Sequence, residues 1–172
     1  EGRAARCCLI AFIDDATGRV LGARFEASES TQGYLGVLER YVAEHGAPLA
    51  IYSDRHAIFT KHDREDPVPT QFERALLQLD IEPICAHSPQ AKGRVERLFQ
   101  TLQDRLVKAM RLAGIDGMAE ANAWLPGYLA AHNARFAVTP RQAADMHRPW
   151  LGSRHELSRI CALHHRRSAS GQ

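Results

Sequence analysis

The sequence predicts an α/β layered domain built on a mixed sheet flanked by helices. Three patterns predict it. The segments run strand, strand, helix, strand, helix, strand and then wholly helical, an order that suits helices packed on a sheet. Cys7-Cys8-Leu9-Ile10-Ala11-Phe12-Ile13 is a continuous apolar run, as in a strand covered on both faces. The stretch from about Gln90 to Ala113 carries apolar residues at 3–4 spacing, the mark of an amphipathic helix.

The elements follow in order. Asp14-Asp15-Ala16-Thr17-Gly18 supplies turn chemistry, and Arg19-Val20-Leu21-Gly22-Ala23-Arg24-Phe25 returns as the second arm of a hairpin. Ser28 or Ser30 can cap a helix from about Thr31 to His45, with Tyr34, Leu35, Leu38, Tyr41 and Val42 on one face. Gly46 ends it and Pro48 prevents its return. Leu49-Ala50-Ile51-Tyr52 is a short strand after a helix, which favours parallel pairing. Residues 55–69 are a long polar connection of the kind that often carries function.

Thr70 and Glu73 form a capping-box pattern for a helix to about Leu79, and Glu82 to Ala86 is a further strand. In the long helix that follows, Val95, Leu98, Phe99, Leu102, Leu106, Ala109 and Met110 form the stripe, and Gly114 and Gly117 break it. Met118 to Asn133 is helical, with a kink or restart at Pro126. Thr139-Pro140-Arg141-Gln142 opens a short helix. Beyond Trp150 the pattern fades, and residues 154–172 read as a frayed or linker-like tail.

With 172 residues, 45% of them hydrophobic, the chain is long enough for one domain with a real core. A formal charge of only +2 creates no global field for nucleic acid, so any basic footprint must be local. No apolar run is long enough to span a membrane. Cys7, Cys8 and Cys85 fall in strand-like segments, which suits buried free thiols in a reducing compartment. Cys161 with His164 and His165 is an incomplete zinc set.

Two carboxylates carry the functional argument. Asp54 ends the run Ile51-Tyr52-Ser53-Asp54, and open sheets place their ligands at strand ends. Glu96 lies near the start of the long helix, beside Val95, so it is expected at the seam between helix and sheet. Gln100 and Gln103 stand above it. Two divalent ions about 3.5–4 Å apart can stabilise both the attacking and the leaving oxygen of a phosphodiester. Magnesium takes oxygen ligands and keeps several waters, so two or three carboxylates suffice. Taken singly, Asp54 reads first as a turn cap and Glu96 as an interfacial helix charge paired with Arg94 or Arg97; taken together with the surrounding sequence they favour the metal site. Arg55, Lys92, Arg94 and Arg97 flank the two acids and could contact phosphates or form a solvated, ion-paired face. Arg105, Lys108 and Arg111 fit the solvated face better. His87 could orient a metal-bound water, though a structural histidine fits as well. Trp124, Leu125, Tyr128 and Leu129 form an apolar helical face, read as core, with a dimer contact as the sharper alternative.

Tyr52-Ser53-Asp54-Arg55 and His87-Ser88-Pro89-Gln90-Ala91-Lys92-Gly93-Arg94-Val95-Glu96-Arg97 closely resemble the second and third active-site blocks of the integrase core. That core is the catalytic domain of retroviral integrases and of many bacterial insertion-sequence transposases. Phe99, Thr101 and Leu102 continue the pattern after the glutamate. Residues 13–19 resemble the family's hairpin turn, and Asn133 followed by Thr139-Pro140 resembles its helical end. The resemblance covers roughly residues 7–147, as a catalytic domain over 1–147 followed by a tail or linker over 148–172.

The resemblance implies an RNase H-like fold and a triad of two aspartates and one glutamate. It implies Mg2+ or Mn2+, and a water or 3′-hydroxyl that attacks DNA. Asp54 and Glu96 match the second and third triad positions. The first aspartate belongs to a strand preceding the hairpin, expected upstream of Glu1, with Asp14 or Asp15 as the lesser alternative. The implied partners are DNA, as transposon ends and target, and further copies in a homodimer or higher multimer, with no membrane and no small-molecule cofactor. The implied location is the bacterial cytoplasm, at the nucleoid. With two carboxylates, metal binding and cutting by these 172 residues are expected to be weak. The alternative is an inactive fragment that binds DNA or dimerises only. A different nuclease of the same fold would not need the Ser-Pro-Gln…Gly…Glu-Arg block.

Overall fold

The computed structural model describes residues 7–53, 58, 68–85 and 89–165, except the side chains of 89–92, 94, 95 and 98. It is a mixed α/β arrangement of five helices and six short strands among the described residues. Strands β1 (Cys8–Ile13) and β2 (Val20–Glu26) form the expected antiparallel hairpin, with Leu9 opposite Phe25. Asp14 closes its turn by accepting from the Thr17 hydroxyl and the Ala16 backbone N–H.

Helix α1 (Thr31–His45) has the bounds its sequence dictates. Ser30 accepts from the Gly33 N–H at its start. Gly46 sits at φ 86° at its end, donating to the Val42 carbonyl at 2.9 Å. A Cβ at Gly46 would lie 2.5 Å from the Arg148 carbonyl oxygen, so this position needs glycine both for its backbone and for the close approach of the chain.

Strand β3 (Ala47–Pro48) pairs with β6 (His147–Arg148), a contact between segments far apart in sequence. Strand β4 (Ala50–Ser53) pairs in parallel with β5 (Glu82–Cys85), as the intervening helix α2 (Gln71–Gln78) requires. The capping box on α2 is formed in full by Thr70 and Glu73. The strands make three two-stranded pieces, with no described ladder joining the hairpin to the β4–β5 pair. Both pieces nevertheless press on one helical layer. Phe12 and Ile51 pack against a core containing Leu35, Leu38, Phe72 and Leu76, and Phe12 stacks on Phe72 at 6.5 Å.

A second core lies under helices α3 (Pro89–Leu112) and α4 (Met118–Phe136), where Leu102, Leu106, Leu125 and Leu129 meet Val20 and Phe25. Helix α4 continues through Pro126 rather than restarting there. The missing hydrogen bond costs about 3 kcal/mol, and burial of Ala121, Leu125 and Leu129 offsets it. Trp124 and Tyr128 stack at 4.9 Å, half-buried beside this core.

Two asparagines fasten α4 to β2. Asn133 accepts from the Val20 N–H and donates to the Val20 carbonyl, both at 2.9 Å. Asn122 does the same to Phe25, at 2.8 and 2.9 Å. An amide side chain offers the donor and acceptor of a peptide, so each acts as one residue of a missing neighbour strand and blunts the β2 edge. Asn133→Ala is expected to remove about 2 kcal/mol of stability, two backbone hydrogen bonds at about 1 kcal/mol each. A urea titration that moved by less than a third of that would show water replacing the amide at no cost.

Several expectations need correction. Residues 139–142 are extended and bent rather than helical; Val138 donates to the Thr17 carbonyl at 2.9 Å, which ties the chain to the hairpin turn instead. The expected frayed tail contains helix α5 (Arg154–Ile160), capped by Ser153. Leu157, Ile160 and Cys161 are buried in the first core. Arg74 of α2 satisfies its last carbonyls, reaching Ile160 at 3.0 Å and Ala162 at 2.8 Å. Cys7 is exposed rather than buried, because it precedes the first ladder pair, while Cys161 is the thiol in the core, pushed up to about 12 chiefly by burial. No helix among the described residues is long and apolar enough to cross a membrane.

The β3–β6 contact is held by a relay of side chains. His147 Nδ1 lies 2.6 Å from Asp145, and its Nε2 lies 2.6 Å from the Tyr41 hydroxyl. Burial raises Tyr41 to about 12, so it stays protonated and donates to the imidazole. The Asp145 carboxyl is held below its usual value, first by the hydrogen bond from the His147 ring and then by the His147 backbone N–H. A carboxyl with a depressed folded pKa stabilises above its unfolded value and loses that contribution as pH falls through the folded one. The destabilisation caused by Asp145→Asn is therefore expected to be constant above about pH 5 and to vanish as pH falls below 3.8. Denaturation midpoints of both proteins from pH 6 to 2.5 check this; a difference that persisted at the acid end would contradict it.

Candidate functional site

The parallel pair sets the site. Register runs from Ala50 opposite Glu82 to Ser53 opposite Cys85, so both strands end level. Open sheets bind ligands outside such carboxyl ends. Asp54 is the next residue after β4, and α3 begins at Pro89, shortly after β5. Asp54, Arg55 and His87 themselves lie outside the described residues.

Glu96 stands on the second turn of α3. It is exposed, which corrects its expected place in the helix–sheet seam. The buried face of α3 is fixed by Leu102 and Leu106, at 1% and 2% exposure. Glu96 points about 120° away from Leu102 around the helix. The apolar neighbour Val95 is thus a poor guide to the direction of Glu96. Gln100 and Gln103 are exposed above it.

Arg97 is exposed too, and its Nε donates to the Gly93 carbonyl at 3.0 Å, leaving its terminal N–H groups for other acceptors. Lys92 and Arg94 lie on the same first turns; their side chains are outside the described residues. Farther along, Lys108 pairs with Asp104 at 2.8 Å across one helical turn, and both are exposed, as a solvated face would have it. Such pairs contribute about 0.3–0.5 kcal/mol. Arg105 turns instead onto the Phe136 ring, at 3.6 Å from its centre.

Asp14 and Asp15 do not stand with Glu96. Asp14 uses both carboxylate oxygens inside its own turn, and Asp15 lines a cavity with Thr101 and Arg105. Among the described residues, no three His, Cys, Asp or Glu side chains converge on a point where a metal could sit. The described backbone ends β4 at Ser53, one residue before Asp54, and carries Glu96 on the helix that follows β5. Hard oxygen donors of this kind suit Mg2+ or Mn2+ rather than zinc.

In the sequence, Asn133 stands out by resemblance alone, and Asn122 does not stand out at all. Their signal is a polar residue in line with the buried face of an apolar helix, since half-buried Asn122 and Asn133 flank Leu125 and Leu129 at 3–4 spacing.

Comparison with known proteins finds relatives of the chain. No protein-family model matches the chain. The protein y4bF of Sinorhizobium fredii, assigned as a transposase, is 51% identical over 152 residues, covering 87% of this chain and 33% of its own length. The transposase for insertion sequence IS1202 of Streptococcus pneumoniae is 43% identical over 129 residues, covering 72% of this chain and 28% of its own. The chain thus spans about a third of the length of these relatives. Among solved structures, a chain of the simian T-cell lymphotropic virus intasome in complex with PP2A regulatory subunit B56 gamma superimposes with a TM-score of 0.59. Identity is 20%, and the match covers 86% of this chain and 54% of that one. At that identity the likeness concerns the fold. The chain is a homologue of insertion-sequence transposases and carries an integrase-like fold.

Proposed function

We propose that the whole protein transposes DNA by metal-dependent phosphodiester cleavage and strand transfer, with Asp54 and Glu96 as catalytic metal ligands. The observation that carries this reading is that β4 and β5 end level, Asp54 follows β4 directly in the sequence, and Glu96 is exposed on the helix that follows β5. Asp54 and Glu96 would hold Mg2+ or Mn2+. Bound there, the ion supplies charge for the developing oxyanion and lowers the pKa of the attacking hydroxyl. Arg55, Lys92, Arg94 and Arg97 bind backbone phosphates beside the two acids and set the register of the strand.

Two carboxylates leave the ion short of a third anchor. Among the described residues no ladder joins the hairpin to the β4–β5 pair. A second reading is a catalytically inactive protein that binds DNA or pairs with another copy and does not cut. A strand-transfer assay on the full-length transposase, beside this chain, separates the two. Magnesium-dependent joining by the longer protein supports the first; DNA binding by it without joining supports the second.

DNA binding through these bases predicts a steep fall of affinity with salt. Lys92→Gln with Arg94→Gln is expected to lower the slope of log K against log salt by roughly 0.9 for each phosphate no longer neutralised. An unchanged slope would remove both residues from the interface.

A further inference from the structure

Helix α2 carries the chain back from the end of β4 to the start of β5, so it runs opposite to both parallel strands. Its far end leads into Glu82, whose N–H donates to the Leu49 carbonyl at 2.9 Å, at the start of the strand pair. Its eight residues span about 12 Å, and the four residues of β4 about 13 Å. The Gln71 end of α2 therefore stands at the carboxyl end of the β4–β5 pair, the end at which Asp54 follows in the sequence.

The segment after α5 is laid along α2 toward that end. Arg74 donates from Nη1 to the Ile160 carbonyl at 3.0 Å and from Nη2 to the Ala162 carbonyl at 2.8 Å. One turn nearer the start of α2, Gln71 holds His164 by both sides of its backbone. Its Nε2 donates to the His164 carbonyl and its Oε1 accepts from the His164 N–H, both at 3.0 Å. A loose tail would need none of these four hydrogen bonds.

The segment carries uncommitted bases. Arg159 is exposed, and among the described residues its side chain forms no ion pair or hydrogen bond. His165 is exposed as well, and Arg166 and Arg167 follow it in the sequence. Acids on the neighbouring elements are engaged elsewhere. Glu73 closes the capping box of α2, and Glu39 accepts from the Ser158 hydroxyl. The Glu156 carboxylate is turned back toward Gly152.

We propose that residues 159–165 are a docked arm that binds the phosphate backbone of DNA at the carboxyl end of the β4–β5 pair. Arg159 and His165 are its contacts, and Gln71 is the residue that positions it. Phosphate is the fitting partner because N–H donors without acceptors are presented there on a segment already held in place. Holding the arm beforehand spares DNA binding the cost of ordering it. The arm is separate in sequence from Lys92, Arg94 and Arg97 and extends the footprint they begin. The proposal rests on the reading of this chain as a DNA-binding transposase core.

The test titrates a short DNA duplex into the 172-residue chain at several salt concentrations. Arg159→Gln with His165→Gln is expected to bind roughly tenfold more weakly and to lower the slope of log K against log salt by roughly 0.9 for each phosphate no longer neutralised. Gln71→Ala keeps every charge but releases the arm, and is expected to lower affinity by roughly threefold. Circular dichroism and denaturation midpoints establish that both proteins fold. Parent-like affinity and slope in the charge variant overturn the arm and leave the DNA reading standing. Weaker binding by the charge variant with parent-like binding by Gln71→Ala shows a loose basic tail and overturns the docked arm. Failure of the parent chain to bind DNA overturns both.

Discussion

Replacing Glu96 by glutamine is expected to lower magnesium-dependent strand transfer by the full-length transposase on the order of 10³-fold, with the fold unchanged. Glutamine keeps the size and one oxygen but loses the charge that holds the ion. A metal contributes several kcal/mol to the transition state of phosphoryl chemistry. Each 1.36 kcal/mol is tenfold in rate, so about 4 kcal/mol is roughly three decades. The exposure of Glu96 makes this a clean variant. An exposed side chain outside any core or cap changes stability by about 0.5 kcal/mol or less. A Glu96→Gln protein that melts like the parent yet joins no DNA is the expected result. Parent-like joining would assign Glu96 to a solvated helix face.

Leu157→Ala is expected to cost about 2–5 kcal/mol of stability, the range for a leucine truncated in a close-packed site. Leu157 is 1% exposed and sits in the core with Leu35, Leu38 and Phe72. In a chain of this size each kcal/mol moves the melting temperature by about 2–4 °C, so the melt should fall by roughly 5–20 °C. Leu151→Ala is the control, because Leu151 is 93% exposed and should move the melt little. Equal melts for the two variants would return α5 to the status of a loose tail.

The contrast between α1, α2 and α5 shows what can be read. Ser30, Gly46 and Pro48 punctuate α1, and Thr70 with Glu73 starts α2, so local hydrogen bonding alone fixes their bounds. Helix α5 has the same kind of signal, Ser153 followed by Glu156, with Leu157 and Ile160 behind it. The basic residues around it mask that signal and give the segment the look of a tail. The β3–β6 pair is not legible in principle, since two-residue strands a hundred positions apart leave no periodicity. The same holds for Asn122 and Asn133, whose partners lie 97 and 113 residues away.

At the site, Asp54 and Glu96 are legible as residue types at the end of a strand and the start of a helix. The direction of Glu96 is not. Its helix is amphipathic over 24 residues, but only the packed middle, at Leu102 and Leu106, sets which way the face turns. Read from that middle, the acid faces outward, where a bound DNA and its metal can reach it.

The most direct test of the two-carboxylate site is Mn2+ binding to the full-length transposase, followed by electron paramagnetic resonance, in the parent, Asp54→Asn and Glu96→Gln. The site predicts that each variant alone binds Mn2+ at least roughly tenfold more weakly, and that the double variant is little weaker still, because both side chains hold the same ion. Parent-like Mn2+ binding by either single variant would contradict it.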